Sequence, residues 1–185
     1  MPAPRIFFTE HIETPTGDMC LVTDDSQRLR ALDWDDCAGR MHDLMRRRYG
    51  AGAVTLRSAI HSSEAAQALR AYFNGDLDAI AALQIETNGT PFQCTVWDAL
   101  RRIPAGHTMS YSALAAAIGR PNAMRAVGLA NGANPISIVV PCHRMIGTDA
   151  SLTGYGGGLH RKCWLLAHER GERPLFDESL QQTAR

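Results

Sequence analysis

No stretch of this 185-residue chain stays apolar for the length a bilayer crossing requires, and its first residues, MPAPRIFFTEH, hold neither a signal-length apolar run nor a cleavage-site pattern. These absences exclude a helical membrane protein and leave nothing that marks the chain for export, so a soluble, cytoplasmic protein with no membrane partner is expected. Cysteine is scarce as well: five residues (Cys20, Cys37, Cys94, Cys142 and Cys163), an odd number without a CxxC pair. Such a set spells out neither a complete disulfide framework nor a cysteine-rich zinc site, and reduced thiols are expected. Internal repeats and low-complexity segments are also missing.

The formal net charge is zero, which hides an asymmetry. Residues 1–90 carry 9 arginines against 13 acids, whereas residues 91–185 carry 9 arginines and the chain's 1 lysine against 6 acids. A basic second half points to a polyanionic partner. Chance scatter over two solvated surfaces accounts for it equally well, because the excess is small beside that of dedicated nucleic-acid binders.

What is present divides into two parts. The runs IFFTEHIET, MCLVT and LRALDW read as a β-meander, separated by turn chemistry at Thr16-Gly17 and Asp24-Asp25-Ser26. Helical spacing follows over Arg40 to Tyr49, and again from the capping Ser63 to Phe73. A short polar link, Glu86 to Gly89, then sets a boundary, with one domain over 1–86 and a second over 90–171. Thr90-Pro91-Phe92-Gln93 opens the second as a helix start, with a cap, a proline at the first position and a glutamine at the third. This helix is expected to run to about Arg102. Two short helices, Ser112 to Ile118 and Asn122 to about Ala130, flank a tight Gly119-Arg120-Pro121 corner. That outline fits a helix-turn-helix or the corner of any small bundle. The polar tail, 172–185, is expected to fray.

The densest chemistry lies in Asn134 to Arg144, NPISIVVPCHR. Ile136, Ile138, Val139 and Val140 read as a buried strand that Pro141 ends, because proline cannot donate to a ladder. Cys142 would then project from a rigid strand end, with His143 and Arg144 adjacent as candidate base or positive charge. The residues alone leave open whether Cys142 is a nucleophile or an inert core thiol. Downstream, SLTGYGGG (Ser151 to Gly158) is either a loop that approaches a ligand closely or a plain surface loop. In the following helix Trp164, Leu165 and His168 share a face with Glu169 alongside, which is either an acid that orients a histidine or a solvated helix-end residue.

Taken together, PCHR behind an apolar run and Asn134-Pro135, the segment Arg125-Ala126-Val127-Gly128, the GYGGG loop and the closing WLLAHE resemble, in order and spacing, the O6-alkylguanine-DNA alkyltransferases, also called methylated-DNA–protein-cysteine methyltransferases. The resemblance spans Thr90 to Glu169 and, more loosely, the N-terminal part with its TPTG turn. It implies an α+β fold: a ribonuclease-H-like α/β domain with a small antiparallel sheet, then a mostly helical domain with a helix-turn-helix and a short active-site strand.

The resemblance also implies roles. Cys142 would take the alkyl group from guanine O6, or from O4-alkylthymine, and keep it in a single stoichiometric turnover. His143 would deprotonate it through a water, oriented by Glu169. Tyr111 would help rotate the target nucleotide, Arg125 would fill the space it leaves, and Asn134 would brace the turn before the reactive segment. Met145, Tyr155 and Gly156 would line the base pocket, with Met145 where valine is frequent and Gly156 where some members carry a hydroxyl. The implied partner is double-stranded DNA containing O6-alkylguanine, bound by a monomer through the minor groove. No cofactor is implied. Some family members hold a structural zinc in the N-terminal domain, but here Cys20, Cys37, His11, His42 and His61 show no ligand spacing, and no metal is expected.

Overall fold

A computed structural model describes residues 4–172, so the tail expected to fray lies outside the described residues apart from Glu172. The residues up to Gly89, joined by Pro135–Val139, form one unit, and Thr90–Asn134 with the residues from Val140 onward form a second. Among the described residues the architecture is α+β, with a small mixed sheet and six α-helices.

In the first unit β1 (Arg5–Ile12), β2 (Met19–Thr23) and β3 (Leu29–Trp34) form the expected antiparallel meander. Its first turn is built by Thr14-Pro15-Thr16-Gly17: Gly17, at φ 107°, donates its N–H to the Thr14 carbonyl at 3.0 Å. The buried Trp34 indole donates to Thr16 Oγ1 at 3.0 Å and ties that turn to β3. Helix α1 (Ala38–Tyr49) turns Met41 and Met45 onto Phe7, Cys20, Val22 and Ala31 of the sheet. Fully burying such side chains stabilises the fold by roughly 1.5–3 kcal/mol each.

The sheet departs from expectation at its edge. A fourth strand, β4 (Val54–Ser58), pairs with β1 in parallel, giving the order β3-β2-β1-β4 and a mixed rather than purely antiparallel sheet. Helix α1 supplies the crossover that a parallel pairing needs. β4, VTLRS, alternates only over Val54 and Leu56 and is mostly exposed, with Val54 alone packed against the core, so its signal is too short to mark a strand. Helix α2 (Glu64–Phe73) completes the unit, its Ser63 cap accepting from the Ala66 N–H at 3.1 Å.

The second unit opens with α3 (Pro91–Arg101), whose Thr90–Gln93 capping box forms as the sequence predicts. A two-residue strand β5 (Met109–Ser110) leads into α4 (Tyr111–Ala117), with Ser110 as its cap. α5 (Met124–Gly132) begins two residues later than predicted, because Asn122 and Ala123 belong to the corner, where the Ala123 N–H reaches the Arg120 carbonyl at 2.8 Å. Trp97 of α3 donates its indole N–H to the Ala130 carbonyl at 2.9 Å, locking α3 to α5.

The run before Cys142 corrects a second expectation, the strand. Ile136 makes only an isolated parallel bridge with Leu32 of the first unit, and the chain then turns through 137–139. Ile138 sits at φ 68°, a left-handed conformation that costs a β-branched residue on the order of 1–3 kcal/mol and cannot continue a strand. The short strand of this region, β6 (Met145–Ile146), follows the cysteine and pairs in parallel with β5. α6 (Leu159–Glu169) ends the unit.

Candidate active site

Pro141 does not end a strand; its φ of −80° and ψ of 64° make it the centre of an inverse γ-turn, in which the Cys142 N–H bonds the Val140 carbonyl at 2.7 Å. A single 3-10 turn, Cys142–Arg144, follows, so the thiol sits on a tightly curved and buried backbone. Asn134, itself 1% exposed, donates from Nδ2 to the Val140 carbonyl at 2.8 Å and to Cys142 Sγ at 3.0 Å. One side-chain amide thus fixes the turn and offers a donor to the sulfur, which favours the thiolate.

Behind the cysteine lies a buried ionic cluster. His143 Nε2 lies 2.8 Å from Glu169 Oε1, and both side chains are fully buried. Arg144, predicted as a possible partner of the thiol, instead binds Glu169 through Nη2 at 2.8 Å and Nε at 3.0 Å, and donates to the Ile103 carbonyl. The Gly106 N–H adds a bond to Glu169 Oε2 at 3.1 Å. Gly106, at φ 76°, suits a glycine, and a Cβ there would press on the Glu169 carbonyl oxygen at 3.0 Å. Burial works to raise the Glu169 carboxyl, but the hydrogen bonds and charges of His143 and Arg144 outweigh it and hold the group well below the usual carboxylate range. Burial depresses His143, with Arg144 and Lys162 acting in the same direction against the opposing pull of Glu169. The pair is therefore a carboxylate neutralised by Arg144 beside a neutral imidazole, and the buried His143 Nδ1 has no hydrogen-bond partner among the described residues. A free ring nitrogen on a neutral imidazole can accept a proton.

Lys162, the chain's 1 lysine, is fully buried on the inner face of α6 with Leu165, Leu166 and Glu169. Its ammonium donates to the Met145 carbonyl and, at 3.1 Å, to the Thr153 carbonyl, joining β6 to the glycine-rich loop. Arg161 ties the same loop through the Gly157 carbonyl at 3.1 Å. Desolvation lowers the lysine, while the charges of Cys142 and Cys163 pull it back up, so its ammonium stands within electrostatic reach of the Cys142 sulfur. Sequence reasoning missed this residue; the available signal was a lone lysine at helical spacing from Leu165, Leu166 and Glu169 on an otherwise apolar stripe.

The remaining candidates divide. Met145 is fully buried beside the turn, and Tyr155 meets His143 edge-to-face with ring centres 6.4 Å apart. Gly156 is exposed in the loop. The Tyr111 hydroxyl lies 3.2 Å from Thr153 Oγ1 and 3.4 Å from Asn131 Nδ2, so α4, α5 and the loop meet at one phenol. Arg125 stands apart from this network, exposed on α5.

Residues 91–171 match the family model described as "6-O-methylguanine DNA methyltransferase, DNA binding domain". Among curated relatives, a methylated-DNA–protein-cysteine methyltransferase of Salmonella typhimurium is 51% identical over 160 residues, covering 86% of this chain and 94% of its own. Among solved structures, the Mycobacterium tuberculosis O6-methylguanine methyltransferase superposes with a TM-score of 0.70 at 40% identity, covering 95% of this chain and 98% of that one. The M. tuberculosis OGT in complex with DNA gives a TM-score of 0.71 at 36% identity, over 90% of this chain and 95% of that one. The fold is thus that of a recurring class of α+β proteins. This chain belongs to the methylated-DNA–protein-cysteine methyltransferase family.

Proposed function

We propose that this protein repairs DNA by direct reversal of damage, moving the alkyl group of O6-alkylguanine in duplex DNA irreversibly onto Cys142. The observation that carries the reading is the pairing of a buried thiol, held by Asn134 at 3.0 Å, with a fully buried His143–Glu169 couple at 2.8 Å. Membership of the family, and the presence in it of a relative solved with DNA, support DNA as the partner.

The chemistry is a direct displacement. The Cys142 proton passes through a water to His143 Nδ1, whose imidazole is kept neutral by burial and oriented by Glu169. The sulfur attacks the alkyl carbon; the S–C bond forms as the C–O6 bond breaks, and guanine leaves with the electron pair. The proton released by the thiol balances the one that guanine takes up, while the Tyr111 hydroxyl donates a hydrogen bond to the departing base. A thioether has no route back to a thiol here, so each molecule acts once. The same displacement extends to O4-alkylthymine.

Stacked bases hide the alkyl carbon, so the nucleotide is flipped out, at a cost of roughly a few kcal/mol that an inserted side chain offsets. We read α4 and α5 as a helix-turn-helix that binds as a monomer in the minor groove, with the exposed Arg125 as the inserted residue and Met145, Tyr155 and Gly156 around the extruded base. The sheet order β3-β2-β1-β4, with β4 parallel to β1, supports a ribonuclease-H-like first domain, 1–86, ahead of the DNA-binding and alkyl-acceptor domain, 90–171.

The test is incubation with a duplex carrying O6-methylguanine, followed by mass spectrometry. The expected result is one added CH₂, located on Cys142, with product equal to protein and no further turnover. Absence of the adduct, or an undiminished reaction by Cys142→Ala, overturns the reading.

A further inference from the structure

We propose that His11, Cys20 and Asp35, in the first unit, form a binding site for one divalent cation of the zinc class. Nothing in the alkyl-transfer reading calls on these residues, and their separation in sequence hides the site. The fold assembles it through register. His11 of β1 and Cys20 of β2 are direct partners in the antiparallel ladder, which puts their side chains on one face. Asp35 follows β3 immediately, and its N–H bonds the Asp18 carbonyl at 2.9 Å, which pins it at the same end of the sheet. The ligand atoms of the three residues all lie within 4.8 Å of one another.

The geometry and the donor set both fit. A tetrahedral zinc ion with its usual bonds to sulfur, nitrogen and oxygen holds its ligand atoms about 3 to 4 Å apart. His11 Nδ1 already lies 3.0 Å from an Asp35 oxygen, and these two side chains are 62% and 40% exposed, free to rotate toward the buried sulfur. Thiolate with imidazole selects zinc, cobalt or copper over magnesium and calcium, which require oxygen ligands. Asp33 lies opposite Cys20 on the other side but is bound to Arg40 at 2.7 Å, so it adds negative charge rather than a spare ligand. Three protein ligands leave the remaining tetrahedral position for water. Joining β1, β2 and the turn after β3, such an ion would stabilise the sheet end by binding the folded state alone.

Chelator-treated full-length protein, titrated with cobalt(II) and then with zinc(II), tests this. One cobalt per chain is expected, with a thiolate-to-metal charge-transfer band that zinc abolishes, and with metal content confirmed by elemental analysis. Cys142→Ala, which removes the other buried thiol, is expected to keep both. His11→Ala, a change at an exposed side chain that the fold tolerates, is expected to weaken binding by roughly a hundredfold or more, beyond the roughly 10–100-fold that outer-shell changes cost, and to leave alkyl transfer unchanged. Cys20→Ala is expected to remove the band. No stoichiometric cobalt, a band that survives Cys20→Ala or undiminished affinity in His11→Ala overturns the proposal, as does a band lost in Cys142→Ala. Alkyl transfer measured on the same samples keeps this result separate from the fate of the repair reading.

Discussion

Glu169 Oε1 accepts from both His143, at 2.8 Å, and Arg144, at 2.8 Å, and all three side chains are buried. Glu169→Gln keeps an acceptor for the imidazole but leaves the Arg144 guanidinium without its counter-charge. Breaking a buried pair by removing one partner costs about 3–5 kcal/mol. Denaturant unfolding is expected to show a loss of that size. Alkyl transfer by the fraction still folded is expected to slow, because the imidazole loses the charge that supports its protonation.

Acidification is expected to destabilise the protein in two steps of the same sign. His143 is held below its ordinary value of 6.5 by burial, so below that pH the unfolded chain takes up a proton that the folded chain refuses. The unfolded state then binds more protons, and stability falls as the pH drops. Glu169 is held below its ordinary 4.5, so its contribution is present above that value and fades as the pH falls further. Urea midpoints measured between about pH 8 and about pH 2 are expected to decline below the histidine value and again below the glutamate value. His143→Gln is expected to flatten the first part of that decline and leave the second; a midpoint indifferent to pH across the range contradicts both assignments.

How much of this could be read from the sequence varies with the kind of signal. Local chemistry was legible: the Thr90–Gln93 capping box, the TPTG turn and the meander each depend on residues within a few positions of one another. The convergence of His143 with Glu169 was legible through family resemblance, not through spacing. β4 was hidden because its alternation covers only Val54 and Leu56 and the strand lies mostly exposed at the sheet edge. The strand expected before Cys142 failed because a run of buried β-branched residues satisfies burial without pairing, and Ile138 at φ 68° turns the chain instead. Arg144 and Lys162 were misjudged or missed because their partners, Glu169 and the Met145 and Thr153 carbonyls, are set by tertiary packing that no local pattern encodes.

Under the proposed function, Arg125→Ala is expected to separate delivery of the base from the chemistry. The side chain is exposed on α5, and surface substitutions of this kind change stability by within about 0.5 kcal/mol. Repair of O6-methylguanine in duplex DNA is expected to fall by roughly tenfold or more, as the support for an extruded nucleotide is lost. Reaction with free O6-benzylguanine, which needs no flipping, is expected to be unchanged. Equal losses on both substrates would place Arg125 in the chemistry or the fold instead.

Asn134→Ala removes the amide that bonds the Val140 carbonyl at 2.8 Å and Cys142 Sγ at 3.0 Å. A buried carbonyl left without a partner costs about 1–3 kcal/mol. The sulfur loses a donor that favours its charged form, so the pH profile of Cys142 alkylation is expected to move to higher pH. Asn134→Ser, which offers a shorter donor, is expected to recover part of the shift. A profile that does not move would reduce Asn134 to a support of the turn.

Lys162→Met tests a charge rather than a hydrogen bond to sulfur. The ammonium stands within electrostatic reach of Cys142 and bonds the Met145 and Thr153 carbonyls, so methionine of similar length removes both the charge and two donors. The unpaired carbonyls are expected to cost about 1–3 kcal/mol each and to loosen the loop that carries Tyr155. An opposite charge within electrostatic reach favours a thiolate, so its loss is expected to raise the pH needed for half-maximal alkylation of Cys142. Iodoacetamide labelling of Cys142 as a function of pH reads that shift without DNA, and tryptophan fluorescence on the same samples reads the fold. A Lys162→Met protein that is folded and reacts with the wild-type pH profile would show that the lysine only ties the loop.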